Sequence, residues 1–242
     1  MSAHSNSLLD LLLIDIETVP MVPSFDLLPP EWQKLFSDKI SKTVPENFSM
    51  PDSYRQKAGI FAEFAKVICI STGFFYVDKR GKTCLKIKSI YSDDEHDVLI
   101  NFLELVRLFS EKNRSFKFAG HNIREFDIPF LARRMLINKI DLPPSFQLHG
   151  AKPWEINMVD TLQWWKFGDY KNYTSLNLLA NVLGVPTSKT DIDGSMVQDV
   201  YYIQKDLERI VAYCQRDVVV VARIIQVFKG LTVIADECIF YA

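Results

Sequence analysis

Hydrophobic residues in this chain fall either in strand-like runs or in helical stripes, and the switches between them mark the expected elements. Leu11, Leu12, Leu13 and Ile14 open a strand that continues through Asp15, Ile16, Glu17 and Thr18, so an apolar run ends in two acids one residue apart. Val67 to Val77 and Cys84 to Tyr91 are β-rich runs, and Asp78, Lys79, Arg80 and Gly81 between them predict a hairpin. With the first strand they form a three-stranded meander. The stretch between the first strand and the hairpin is punctuated by Pro20, Pro23, Pro29, Pro30, Pro45 and Pro51. Glu31 to Ile40 and Asp52 to Phe64 have helical spacing there, with Pro30 and Pro51 placed as helix starters, so a helical insertion over about 20–64 is expected rather than a floppy loop.

Asp94 to Lys112 carries Val98, Leu99, Phe102, Leu105, Val106 and Phe109 on one side and reads as an amphipathic helix capped at Asp93 or Asp94. Phe116 to Ala119 reads as a short buried strand. The junction from Gly120 to Phe130 leaves it for a helix running to about Ile137, with Pro129 tolerated in the first turn. Taken alone, Asp127 at that helix start reads as an N-cap. Met158, Val159, Asp160 and Thr161 repeat the pattern, and there the N-cap reading is favoured more strongly. Trp164 and Trp165 read as core or groove wall. Ser175 to Leu183 is a short helix ended by Gly184 and Pro186. A polar loop with Lys189 and an Asp193-Gly194 turn leads to helical spacing over Ser195 to Ile203. The last helix, about Lys205 to Lys229, places Leu207, Ile210, Val211, Cys214, Val218, Val221, Ala222, Ile225 and Phe228 on one core-facing stripe.

Composition narrows the function classes. A chain of 242 residues with 48% hydrophobic content and 17 Phe buries a sizeable core. A net charge of −2 gives no broad basic surface, so any phosphate binding is local. Cys69, Cys84, Cys214 and Cys238 show no C-x-x-C spacing and read as core thiols in a reducing compartment. The N-terminal apolar run is too short for a signal peptide or a membrane span, so a soluble cytoplasmic protein is expected.

Candidate chemistry comes from the acids. Asp15 and Glu17 project from one face of their strand and repel one another unless a proton or cation intervenes, and oxygen ligands favour Mg²⁺ or Mn²⁺. Alone, the stretch also fits a strand running out into a solvated acidic turn. Tyr213 and Asp217 are four residues apart and stack on one helix face at the border of the apolar stripe. A carboxylate there needs a partner or a metal; the plainer readings are a core-edge ring for Tyr213 and an arginine partner for Asp217.

Taken as a set, these residues resemble the DEDD superfamily of 3′ to 5′ exonucleases in its tyrosine-bearing branch. Asp15 and Glu17 match the first motif, Asn122, Phe126 and Asp127 the second, N-x-x-x-F-D, and Tyr213 and Asp217 the third, Y-x-x-x-D. The chain is most similar to stand-alone bacterial proteins that resemble the exonuclease domain of family B DNA polymerases. That likeness also takes in Glu63 to Gly73 and the Lys189 to Val197 loop, and so nearly the whole chain.

The resemblance implies a ribonuclease H-like α/β fold, a mixed sheet flanked by helices, forming one exonuclease domain over 1–242 with the insertion at about 20–64. It implies two divalent ions, Mg²⁺ or Mn²⁺, held by Asp15, Glu17, Asp127 and Asp217. Asp15 would bridge them, Glu17 and Asp217 would lie on the nucleophile side, Asp127 towards the leaving group, and Tyr213 would orient the water. Thr18, Asn122, Phe126 and Lys189 are the expected substrate contacts, with Arg124, Arg133 and Arg134 as further cations. The expected substrate is the 3′ end of a single-stranded nucleic acid, DNA preferred. With no polymerase region in the sequence, proofreading would act in trans beside a polymerase or repair complex. The alternatives are an RNA 3′ exonuclease like RNase D, an inactive binding relative, and an endonuclease of the ribonuclease H or transposase kind. Retention of all four acids and the tyrosine speaks against the second, and the Y-x-x-x-D spacing against the third.

Overall fold

Strands β1 (Leu11–Pro20), β2 (Ala65–Val77), β3 (Thr83–Tyr91), β4 (Lys117–Gly120), β5 (Val159–Asp160) and β6 (Ile239–Tyr241) form one mixed sheet in the order β5-β4-β1-β2-β3-β6. The structure, a computed structural model, describes residues 8–41, 49–152, 155–169, 171–187 and 192–242. β1, β2 and β3 are the antiparallel meander that the apolar runs predict, while β4, β5 and β6 add parallel pairings to β1, β4 and β3. β6 has no counterpart in the sequence reading, because three residues with two exposed aromatics carry no usable period.

The helices are α1 (Pro30–Ile40), α2 (Met50–Lys57), α3 (Glu95–Lys112), α4 (Asp127–Ile137), α5 (Thr161–Lys166), α6 (Leu176–Val182), α7 (Val197–Asp199) and α8 (Leu207–Phe228). Alternation along β1 sorts them into two layers. Leu12, Ile14 and Ile16 pack against Val98, Leu99 and Phe102 of α3 and Ile128 and Leu131 of α4, whereas Leu11 and Leu13 pack against Val218 and Ala222 of α8. Gly73 on β2 permits that second contact: a Cβ there would lie 2.7 Å from Val218 Cγ1 and 3.1 Å from Ile87 Cδ1. Beyond α8, Arg223 is buried and donates to Asp236 at 2.5 Å, and Gln226 accepts from the Ile234 N–H at 2.9 Å, which leads the chain back to pair β6 with β3.

The insertion has its own apolar cluster of Phe36, Ile40, Tyr54 and Phe64, with Trp32 edge-on to Phe64 at 5.6 Å. Pro30 starts α1, Pro51 lies in the first turn of α2, and the Ser49 hydroxyl caps α2 by accepting the Asp52 N–H. The second insertion helix is shorter than its spacing predicts. It stops at Lys57, passes through a 3-10 turn at Ala58–Ile60, and turns at Phe61 to Phe64 to enter β2, so the apolar residues beyond 57 face the cluster from a turn.

Two other boundaries are refined. Asp94 rather than Asp93 caps α3, accepting the His96 N–H at 2.8 Å. The stretch read as helical over Ser195 to Ile203 is a three-residue α7 followed by a π-helical turn, Val200–Gln204, ended by Lys205 in the left-handed region. The wider turn lets adjacent rings serve different anchors: the Tyr201 hydroxyl donates to Asp93 at 2.6 Å and the Tyr202 hydroxyl to the Pro20 carbonyl at 2.5 Å. Among the described residues no helix is long and apolar enough to cross a membrane.

Candidate active site

The residues of β1 that follow Leu11 and Leu13 on the α8 face are Asp15 and Glu17. Helix α8 meets them with Tyr213 and Asp217, and the Tyr213 hydroxyl donates a hydrogen bond to the Asp217 carboxylate. Cys214, next to Tyr213 in sequence, donates from Sγ to the Asp15 carbonyl at 3.3 Å and fastens the helix to the strand. The strand itself is irregular here, with a bulge between Glu17 and Thr18. Such a bulge re-aims the side chains around it.

Asp127 comes from the opposite edge. β4 pairs with β1 only as far as Leu13 opposite Ala119, so the Ile16 N–H further along that edge needs another acceptor. The Asp127 Oδ1 accepts it at 3.2 Å. The N-cap position of α4 is Phe126, with no side-chain cap. Asp127 is therefore not the helix cap that its position alone predicts.

The N-cap reading of Asp160 holds, since its carboxylate accepts the Leu162 N–H at 2.9 Å at the start of α5. The same buried carboxylate also accepts the Asn122 N–H at 2.9 Å and the Arg124 N–H at 3.1 Å. Sequence gives no signal of this second duty, which fixes the loop carrying Asp127. Asn122 sits at φ 61°, a left-handed conformation that asparagine tolerates, and its carbonyl accepts the N–H groups of Glu125 and Phe126. His121 braces the loop from behind. Its Nε2–H donates to the Thr174 carbonyl at 2.9 Å, which leaves Nδ1 to accept the Thr161 hydroxyl at 2.9 Å.

Gathering four carboxyls in a buried site raises their proton affinity. Burial first, then the charges of Asp217 and Asp127, holds the Asp15 carboxyl well above the ordinary range. Burial followed by Asp15 does the same to Glu17. Burial pushes Asp127 up to about 7, and Asp217 up to about 6 against the pull of the Tyr213 hydroxyl and Arg216. Tyr213 is raised by burial and by Asp217. The Asp15 Oδ2 is buried with no hydrogen-bond partner, and ligand atoms of Asp15, Glu17 and Cys214 lie within 4.8 Å of one another. Cys214 already spends its S–H on a backbone carbonyl, so the donors that remain are hard carboxylate oxygens. An orphaned buried carboxylate oxygen beside a second carboxylate fits a divalent cation such as Mg²⁺ or Mn²⁺.

Two cavities meet over these acids and share Ile16, Glu17, Phe126 and Gly194. One, of about 410 Å³, is lined by Asp15, Asp127, Tyr173, Tyr213 and Asp217. The other, of about 740 Å³, lies against the insertion and is lined by Thr18, Arg55, Gln56 and Ile60.

The other site residues expected from sequence are placed unevenly. Phe126 lines both cavities and packs on Phe130 with ring centroids 5.3 Å apart. Thr18 lines the larger cavity, but its hydroxyl donates to the Gly59 carbonyl at 2.7 Å and so anchors the insertion. Asn122 lines the acid cavity. Lys189 lies outside the described residues. Arg133 is exposed and Arg124 half-buried. Arg134 is not available to a phosphate: it is buried, donates to Glu95 at 2.8 and 2.5 Å and to the Ala62 carbonyl at 2.8 Å, and so ties α4 to α3 and to the end of the insertion. Trp164 is half-buried and packs edge-on against Phe228 at 5.7 Å, at the edge of the core. Cys69, Cys84, Cys214 and Cys238 are free and buried, as their spacing implies.

A family model described as a predicted 3′-5′ exonuclease related to the exonuclease domain of PolB matches residues 60–224, more than half of the chain. The match contains the second and third motifs; Asp15, Glu17 and most of the insertion lie before it, so it is narrower than the span of the motifs. No curated protein matches. Among solved structures, the family B DNA polymerase from the hyperthermophilic archaeon Pyrobaculum calidifontis is similar over 88% of this chain and 24% of that polymerase, with a TM-score of 0.50 and 15% identity. That likeness is one of fold, the mixed sheet with helices on both faces that is called ribonuclease H-like, and the chain spans about a quarter of the polymerase's length. By the family match, the chain belongs to the predicted 3′ to 5′ exonucleases related to the exonuclease domain of PolB.

Proposed function

We propose that this chain is a metal-dependent 3′ to 5′ exonuclease that hydrolyses single-stranded DNA from its 3′ end, and that it works as one exonuclease domain. The observation that carries the reading is the convergence of Asp15, Glu17, Asp127 and Asp217 from three separated segments on one buried site, with the Asp15 Oδ2 left without a partner. Two divalent cations, Mg²⁺ or Mn²⁺, held by these four residues would supply the positive charge that offsets the carboxylates and would activate water for attack on the phosphodiester. Asp15 is the carboxyl given the bridging place, since it has the buried oxygen left without a partner. The Tyr213 hydroxyl, already directed at the Asp217 carboxylate, is the group that orients the attacking water. Asp160 and His121 keep Asp127 in register through the loop between them. Water adds across the bond from phosphorus to the 3′ oxygen, releasing a nucleoside 5′-monophosphate and a strand shorter by one residue. The preference for DNA rests on the likeness to a family B DNA polymerase.

The test is hydrolysis of matched, end-labelled DNA and RNA single strands in Mg²⁺ and in chelator. The expected result is stepwise loss of mononucleotides from the 3′ end of DNA, absent in chelator and in Asp15→Asn. Faster digestion of RNA would shift the substrate to the RNase D kind. Cleavage of a circular strand would make the enzyme an endonuclease, and no metal-dependent release from either polymer would remove the enzymatic reading.

A further inference from the structure

The larger cavity is walled on one side by residues of β1 and the insertion that precede the family match. Pro20, Ile60 and Phe126 give it apolar surface, Thr18, Gln56 and Gln198 give it neutral polar groups, and Arg55 gives it a positive charge beside the carboxyls of Glu17 and Asp52. Its volume of about 740 Å³ is in the range that holds a ligand of nucleotide size. Arg55 projects from α2 with its side chain 64% exposed and pairs with Asp199 on α7, Nη2 to Oδ2 at 2.5 Å. The wall around it is braced: Gln198 Nε2 donates to the Pro23 carbonyl at 3.1 Å, the Tyr202 hydroxyl reaches the Pro20 carbonyl, and Thr18 reaches Gly59. The other arginine among the cavity-lining residues is Arg216, whose charge acts on Asp217. A strand passing over the acids brings phosphates into a groove that is otherwise negative.

We propose that the insertion is part of the substrate groove, with one nucleotide of the strand lying in this cavity and Arg55 exchanging Asp199 for its phosphate. The proposal rests on the exonuclease reading for the direction of the strand, and it makes Arg55 a substrate-binding residue that sets affinity. An exposed ion pair is worth little in water, so the exchange is cheap, and a phosphate presents the same two-oxygen face to the guanidinium as the carboxylate it replaces.

The experiment measures the dissociation constant of a fluorescent single-stranded oligonucleotide by anisotropy, over a range of salt, with Ca²⁺ in place of Mg²⁺ to avoid turnover. Arg55→Ala should weaken binding about tenfold and make the plot of log Kd against log salt shallower by about 0.7, the share of one phosphate contact on a single strand. Arg55→Lys should keep the slope. Asp199→Asn should bind as well as wild type or better, since it releases the arginine. If Arg55→Ala and Asp199→Asn weaken binding equally and leave the slope unchanged, the pair is only a clasp between α2 and α7 and the proposal fails. It also fails if Arg55→Ala binds normally. Arg55→Gln with an unchanged melting temperature covers the case in which the alanine variant misfolds. Because Kd is read without hydrolysis, a chain that binds through Arg55 but cuts nothing refutes the exonuclease reading and leaves this one standing.

Discussion

The carboxylate of Asp127 accepts the backbone N–H of Ile16 at 3.2 Å, joining residues 111 apart in the chain. This one bond makes a motif side chain also the substitute for a missing strand on the edge of β1. The two roles separate by substitution. Asp127→Asn keeps an acceptor for Ile16 and should leave stability close to wild type while hydrolysis falls at least 100-fold, through loss of a charged ligand. Asp127→Ala leaves a buried N–H unpaired and should cost an additional 1–3 kcal/mol or so in urea denaturation. Equal stability of the two variants would show that the bond does not support the strand.

The pH dependence follows from the raised carboxyls. Asp127 at about 7 and Asp217 at about 6, with Asp15 and Glu17 also raised, bind their protons more tightly folded than unfolded. The folded state then holds more protons than the unfolded state through this range, so stability without cations falls as pH rises through about 6 to 7. The metal-free melting temperature should drop from about pH 5 to about pH 8, and Mg²⁺ or Mn²⁺ should raise it more at the higher pH, because cations and protons compete for the same oxygens. Asp15→Asn should shrink both effects, stabilise the metal-free protein and abolish hydrolysis. Thermal scans across pH, with and without cation, measure all of this, and a flat metal-free profile would argue against a strained acid cluster.

Tyr213 and Asp217 touch, but they should fail differently. Losing one oriented hydrogen bond at a transition state costs roughly 2–4 kcal/mol, or about 30- to 1,000-fold in rate. Tyr213→Phe should therefore be slow, measurable and normal in Mn²⁺ binding, whereas Asp217→Asn should be slower still and bind Mn²⁺ more weakly. Single-turnover rates and Mn²⁺ titration decide. A Tyr213→Phe enzyme at full speed would leave the ring as packing only.

Arg134 offers the contrast to Arg55. Its guanidinium is buried on Glu95, which also accepts the Val67 N–H at 2.7 Å and Asn138 at 2.8 Å. Removing one partner of such a pair strands the other, at about 3–5 kcal/mol. Arg134→Ala should lower the unfolding free energy from urea denaturation by that amount and leave the salt dependence of oligonucleotide binding, measured at a temperature where the variant is folded, as in wild type.

Most of the sheet and the long helices were legible in the chain because each depends on a local period. The runs at 11–18, 67–77 and 84–91 and the stripe from Leu207 to Phe228 became β1, β2, β3 and α8, since burying one face of a strand or helix writes its repeat into neighbouring residues. Asp15, Glu17 and Asp217 stand out for the same reason, as carboxylates set where the pattern calls for apolar or half-buried groups, while the chemistry proposed for them rests on the resemblance of the whole set. Partners fixed across the fold left no such trace. Asp127 leaves the helix cap for Ile16, Asp160 adds Asn122 and Arg124 to its cap, Arg134 turns from solvent to Glu95, and Arg55 meets Asp199 across 144 residues. A carboxylate or guanidinium has the same residue identity whether it caps, pairs or binds, and only the groups that the tertiary structure brings within hydrogen-bond reach decide which it does.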